Sequence, residues 1–354
     1  MKIKHASLRL ISLILTIIIA CALIASCDAS PSYNGGGTGR AQSRMLEDYY
    51  FASFIKVMDY SGSTTREFDH LCERVASLAD EYHNMFDIYN APDSVVGIKK
   101  LNENAGITPI VISETLMSFL EYCKEIFRKT DGNTNIAMGS VLKIWHNYRE
   151  EGVAIPTMAE LEAAAAHTNI DNLILNRENM TAYISDQEMS LDVGAIAKGY
   201  SCARISDILR SEGYTSIVLD FGGNLSAIGS KQDGSSWTTG VRDPRDPSGF
   251  TYAVRFTLKN ASVATSGDYE RGSYYEVNGV RYHHLISKDT LMPATYHSSV
   301  SVVSPDAGLC DALSTALFCI SESEGKSLIN RNFSDSVTQV YWISTSGEVS
   351  QLYG

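Results

Sequence analysis

Hydrophobic positions between residues 64 and 86 recur at helical spacing. Phe68, Leu71, Cys72, Val75, Leu78, Tyr82, Met85 and Phe86 mark one face, behind the capping-box sequence Thr64-x-x-Glu67. A second helix is predicted from about Glu114 to Lys129, and a third, alanine-rich, opens at Thr157-x-x-Glu160. Upstream, Phe51 to Met58 reads as a strand, and Leu173 to Leu175 with Ala182 to Ser185 reads as a hairpin. Helical spacing returns after Gly194 with Tyr200, Ala203, Ile205, Ile208 and Leu209 inward, and it stops at Gly213. Strands then dominate: Ile217 to Phe221, Trp237 to Arg242, Tyr252 to Leu258, Ser262 to Thr265, Tyr282 to Ile286, Ser298 to Val303 and Val337 to Ser344, with one helix, Ala307 to Ile320, among them. Doubly wound parallel proteins do not usually finish on such a run of strands. The order predicts an α+β fold: one large domain over 46–354, with a mixed, mainly antiparallel sheet and packed helices. No repeat of fixed period is visible.

The first residues follow another pattern. Lys2, Lys4 and Arg9 precede an apolar run from Leu10 to Ala25, interrupted by Ser12 and Thr16 and ending in Ile24-Ala25-Ser26-Cys27. A basic start, a short apolar core and small residues before the cut describe a secretory signal over 1–26. The run is shorter than the roughly 20 apolar residues of a spanning helix. Cysteine directly after Ser26 resembles the bacterial lipobox, which makes Cys27 the expected lipidation site; an ordinary signal peptide with a coincidental cysteine is the alternative. Both readings export the protein, and the first anchors it by lipid to the outside of the bacterial cell membrane. Residues 27–45 are rich in Ser, Pro, Gly and Asn and read as a flexible tether. The glycines at its centre do not suggest a nucleotide loop, because no strand precedes them.

Charge narrows the partners. The 29 basic side chains less Lys2, Lys4 and Arg9 leave 26 against 41 acidic ones, a balance of −15. Nucleic acid and anionic membrane are therefore poor primary partners. Beyond Cys21 and Cys27, the five cysteines Cys72, Cys123, Cys202, Cys310 and Cys319 have no paired spacing, so they read as core thiols rather than a disulfide framework.

Chemistry concentrates between Ser190 and Ile228. Asp192 is followed by a glycine turn, Lys198 and a helix, then by a buried strand ending in Gly222-Gly223-Asn224. The start of such a helix suits an anion such as phosphate, since free N–H groups and the helix dipole both face the ligand. Further segments stand in order around it: Asn135-Ile136-Ala137-Met138-Gly139-Ser140 with Trp145, Val241-Arg-Asp-Pro244, Val263-Ala-Thr-Ser-Gly-Asp268, His283-His284-Leu-Ile286, and Asp311-Ala-Leu-Ser314-Thr315-Ala-Leu-Phe. In this order and spacing the segments resemble the ApbE family of FAD:protein FMN transferases, over about residues 47 to 345.

The resemblance implies an ApbE-like, T-fold-related fold and a magnesium-dependent transfer of FMN from FAD to a threonine hydroxyl of an exported acceptor protein, with release of AMP. The acceptor would carry a Ser/Thr-Gly-Ala-Thr-type motif. By the same resemblance Asp311, Thr315 and the Ala195 carbonyl would hold Mg²⁺. Ala137, Met138, Gly139, Asp192, Lys198, Ile286 and Ser314 would contact FAD, and His284 would move the proton. Physical reasoning agrees that Asp311 and Thr315, four apart, share one helix face, and that oxygen donors suit magnesium. Histidine titrates near neutrality and can take the proton of an attacking hydroxyl. Each residue also has a plainer role. Asp311 could decorate an ordinary helix, Ala137-Met138-Gly139 could be a turn before a buried helix, and either His283 or His284 could be a structural histidine.

The chain departs from the family pattern at three places. Ser287-Lys288-Asp289-Thr290-Leu291-Met292-Pro293 replaces an Asp-Pro and a Thr-Gly turn, Phe51-Ala52-Ser53-Phe54 replaces a Met-Gly-Thr, and a Ser-Glu is absent around Tyr89-Asn90. Water in place of threonine would make the same site an FAD pyrophosphatase yielding FMN and AMP. A noncatalytic flavin-binding lipoprotein and a solute receptor are the rival classes. Ser61-Gly62-Ser63-Thr64 looks a little like an acceptor motif, but Thr64 is committed as a helix cap.

Overall fold

The computed structural model describes residues 41–269 and 272–353, which fall within one compact unit. The expected signal, Cys27 and the tether up to residue 40 lie outside the described residues. Among the described residues no helix is long and apolar enough to cross a membrane.

Strands β1 (Gln42–Tyr50) and β2 (Ser53–Asp59) open the fold as an antiparallel hairpin. Two expectations shift here. Gln42 to Met45, assigned to the tether, pair with Asp59 to Lys56; their polar composition does not prevent a strand once β2 supplies a ladder partner. Phe51 and Ala52, assigned to a strand, instead form the two-residue turn, with φ of +50° and +57°.

Helix α1 (Thr65–Phe86) follows, with both halves of the Thr64–Glu67 capping box formed and all eight predicted face residues buried. Next come α2 (Ile98–Glu103), β3 (Ile110–Val111), α3 (Glu114–Lys129), a 3-10 turn (Ile136–Met138), α4 (Gly139–Glu151) and α5 (Met158–Ala165). Strands β4 (Leu173–Asn176) and β5 (Thr181–Ile184) make the predicted hairpin. Helix α6 (Ala197–Ser211) precedes β6 (Ser216–Phe221), β7 (Asn224–Gly229), β8 (Trp237–Arg242), β9 (Tyr252–Leu258) and β10 (Ser262–Gly267). The chain ends with β11 (Tyr274–Val277), β12 (Val280–His283), β13 (His297–Ser304), α7 (Ala307–Phe318), α8 (Glu322–Asn332), β14 (Gln339–Ser344) and β15 (Val349–Leu352). Helix α8 falls where no helix was expected, behind a Ser321–Glu324 capping box.

The main sheet runs β1-β2-β6-β7-β10-β13-β14-β15, and all of its pairings are antiparallel. Alternation along β6 shows what its two faces bury. Ile217, Leu219 and Phe221 join the core formed with α1, α3 and α6, while Val218 points the other way, into a cluster with Trp237 and Leu258 of the β8–β9 hairpin. Farther along the sheet, Val300 and Val302 meet Leu313, Leu317 and Phe318 of α7 and Leu328 and Ile329 of α8. Each such apolar side chain contributes about 1.5–3 kcal/mol when fully buried. All five cysteines of the described region are free and buried, as their apolar settings predicted.

The fold thus lays α6 and α7 side by side on one face of the sheet, with the 3-10 turn against them. Thr134 Oγ1 donates to the Ala312 carbonyl of α7 at 2.8 Å, and the backbone N–H of Asp192 donates to Ile136 O at 2.8 Å. Segments far apart in sequence are tied into one wall.

Candidate active site

The wall is built around the start of α6. Gly199 stands in the first turn of α6, where N–H groups have no acceptor within the helix. Its N–H donates to Asp311 Oδ2 of α7 at 2.7 Å, and no hydrogen bond reaches the Ala195 carbonyl among the described residues. The approach needs a glycine, since a Cβ at 199 would overlap the Asp311 Cβ and the Ala307 carbonyl. Asp311 is 6% exposed and forms no ion pair with a described residue. Burial raises its carboxyl above the usual range, against the pull of Lys198, the Gly199 N–H and the nearby Asn224 amide. Asp311 is therefore an interior group and not a decoration of the helix surface.

Thr315 lies one turn on, half-buried, its Oγ1 3.2 Å from Ser266 Oγ of β10. Ser314 is placed differently. Its hydroxyl is fully enclosed, donates to the Asp311 carbonyl at 3.0 Å and lies 2.9 Å from Ser266 Oγ. Three residues after Asp311, it lies toward the same side of α7, and its hydroxyl and that of Thr315 meet the same Ser266 hydroxyl.

Lys198 connects the remaining residues. It is half-buried, and its charge acts on Asp192, six residues before it, and on His284 and Asp311 from two distant segments. Asp192 accepts the Gly194 N–H at 2.9 Å. Its carboxyl is raised by burial, partly opposed by that N–H and by the nearby His146, Arg149 and Lys198.

Two adjacent histidines are separated by the structure. His283 ends β12, is buried, and spends both ring nitrogens: Nε2 lies 2.8 Å from Ala294 O, and Nδ1 accepts the Leu285 N–H at 3.2 Å. It is structural. His284 lies just past the strand, not within the longer strand predicted to Ile286; its backbone N–H donates to Ser273 O at 3.0 Å. Unlike His283, it is an exposed residue. Desolvation, then the neighbouring Lys198, His283 and Arg149, lower its pKa to about 3. At neutral pH it is a free base.

Ile286 and Met138 meet in one apolar cluster with Trp145, Tyr275 and Leu161. Gly139 owes its place to packing, since a Cβ there would overlap the Ser190 carbonyl; Ala137 is wholly buried. The replaced loop after Ile286 is ordered. Ser287 N–H donates to Met292 O, Ile286 bridges to Pro293, and Trp145 Nε1 donates to Leu291 O at 2.9 Å.

Two residues at this site went unnoticed in the sequence. Arg149 and His146, near the end of α4, face Asp192, and the Tyr89 ring stacks on His146 at 5.3 Å and 25°. No motif surrounds them. Helical spacing does put His146 and Arg149 three apart on one face, but nothing local says which face meets Asp192.

Among the described residues no three His, Cys, Asp or Glu side chains gather in a way that could hold a metal. What the wall offers is one carboxylate, one hydroxyl and one unspent carbonyl.

Comparisons with known proteins agree on the origin of this arrangement. The model of the ApbE family matches residues 54–340. An FAD:protein FMN transferase of Treponema pallidum is 30% identical over 308 residues, covering 83% of each chain. One from Klebsiella pneumoniae is 30% identical over 257 residues, covering 72% of this chain and 77% of its own. Among solved structures, the ApbE protein of Thermotoga maritima superposes with a TM-score of 0.77 at 27% identity, covering 87% of this chain and 96% of that one. The flavinyl transferase ApbE of Pseudomonas stutzeri shares the fold at 20% identity, with a TM-score of 0.71 over 90% of this chain and 96% of its own. With its fold, its ordered segments and its relatives in agreement, this chain belongs to the ApbE family.

Proposed function

We propose that this chain is a flavin transferase that moves FMN from FAD to a threonine hydroxyl of an exported acceptor protein and releases AMP. The observation that carries the reading is the convergence on Lys198 of Asp192, from its own segment, and of His284 and Asp311, from two distant ones. The names of the family relatives supply the flavin chemistry.

In this reaction the threonine oxygen attacks the flavin-side phosphorus, an O–P bond forms, and the bond from that phosphorus to the adenylate oxygen breaks. His284, neutral at physiological pH, accepts the hydroxyl proton at a ring nitrogen. Lys198 and the start of α6 orient the diphosphate, and holding the groups in line supplies much of the rate. Asp311, Thr315 and the Ala195 carbonyl would hold magnesium, whose preference for hard oxygen donors they meet. The fit rests on two features: a buried carboxylate that forms no ion pair with a described residue and an Ala195 carbonyl that accepts no hydrogen bond among the described residues. When bound, the ion would neutralise charge on the phosphoryl oxygens. We place the enzyme outside the cell, anchored through lipid on Cys27.

The test uses the chain from residue 28 with FAD, MgCl₂ and an acceptor fragment bearing Ser-Gly-Ala-Thr. A fluorescent covalent adduct in a denaturing gel, together with AMP, is the expected result. FMN and AMP without adduct would assign hydrolysis instead. Neither product with magnesium present would sink the proposal.

A further inference from the structure

Arg149 stands where four segments meet. It lies in the last turn of α4, and its charge acts on Asp192, on His284 beyond β12, on Tyr89 after α1 and on Tyr275 in β11. An arginine so placed would normally be matched by a carboxylate. Among the described residues it makes no ion pair, and its one hydrogen bond is between Nη2 and His146 Nδ1 at 3.1 Å. The guanidinium has five N–H donors in a planar fork, so most of its capacity is unspent.

Its position is nevertheless held. His146 is fixed by the Tyr89 ring stacked at 5.3 Å, and α4 is pinned by the bond from Trp145 Nε1 to Leu291 O and by the stack of Trp145 on Tyr282 at 6.0 Å and 22°. Holding an unpaired, half-buried cation in place has a cost that an anionic ligand would offset. Arg149 and Lys198 both act on Asp192 and on His284. Two cations beside one proton acceptor suit a ligand with two adjacent negative charges better than one with a single charge.

We propose that Arg149 is a second phosphate-binding residue of the site, held by His146 and acting with Lys198 on the diphosphate of the dinucleotide. The inference rests on the flavin-transfer reading above but adds a residue from outside every segment that pointed to that reading. Its chemistry is bidentate recognition of a phosphate oxygen pair by a guanidinium.

FAD binding by the full chain, followed by flavin fluorescence over a range of salt concentrations, separates the possibilities. Arg149→Gln should weaken FAD about tenfold and make the affinity less dependent on salt, because one charge–charge contact is lost; Arg149→Lys should fall between. His146→Ala should weaken FAD less than Arg149→Gln, since it frees the guanidinium without removing it. In the transfer assay the Arg149→Gln effect should fall more on KM than on kcat. Unchanged FAD affinity in Arg149→Gln would overturn the inference, as would weaker binding with the salt dependence of the parent protein, which marks a packing defect. If the parent chain binds no FAD at all, the flavin-transfer reading itself fails.

Discussion

The backbone N–H of Gly199 donates to Asp311 Oδ2 at 2.7 Å, so a glycine in one helix sets the position of a carboxylate in another. No side chain fits between them. Gly199→Ala must move α6 from α7, and overpacking of this kind costs about 1–3 kcal/mol. We expect a lower urea midpoint together with loss of transfer activity. Wild-type activity in this variant would show that the contact does not position the site.

Asp311 carries a charge that burial disfavours. Asp311→Asn keeps the shape and removes the charge, so in metal-free buffer at neutral pH it should melt no lower than the parent, and above it if the charge is unrelieved. Transfer should nonetheless disappear. Differential scanning calorimetry in EDTA beside the transfer assay checks both halves; an active Asp311→Asn would contradict the metal-ligand role.

His284 makes a pH prediction with a definite sign. Its folded pKa, about 3, lies below the ordinary histidine value of about 6.5, so as pH falls the unfolded chain takes up this proton first. The stabilisation is complete above about pH 6.5 and is lost as pH drops toward 3. In His284→Gln the decline in stability over that window should be shallower. Removing a proton acceptor should also lower kcat by about 10²–10⁴. An imidazole that titrates near 6.5 by NMR in the free protein would contradict the lowered pKa.

Phe51 and Ala52 both hold positive φ in the β1–β2 turn, a conformation that costs an ordinary side chain about 1–2 kcal/mol. Ala52→Gly should raise stability by about 0.5–1 kcal/mol, whereas Phe51, packed near Phe221 and His83, gains less from the same change. A lower urea midpoint for Ala52→Gly would mean that the turn is not strained.

Much of the fold was legible in the chain itself. The apolar face of α1, the capping boxes at Thr64 and Thr157, the β4–β5 hairpin and the late strands follow from periods of 3.6 and 2 and from local cap chemistry, which act within a few residues. Asp192, Lys198, His284, Asp311 and Thr315 were legible as a set through ordered segments. Tertiary structure alone decided what each of them faces. It enclosed Ser314, spent His283 on Ala294 and left His284 exposed, joined Gly199 of one helix to Asp311 of another, and brought Arg149 to Asp192. Periodicity says which side of an element is buried but not against what, and the charge, exposure and hydrogen bonds of a site residue depend on neighbours brought in from distant segments.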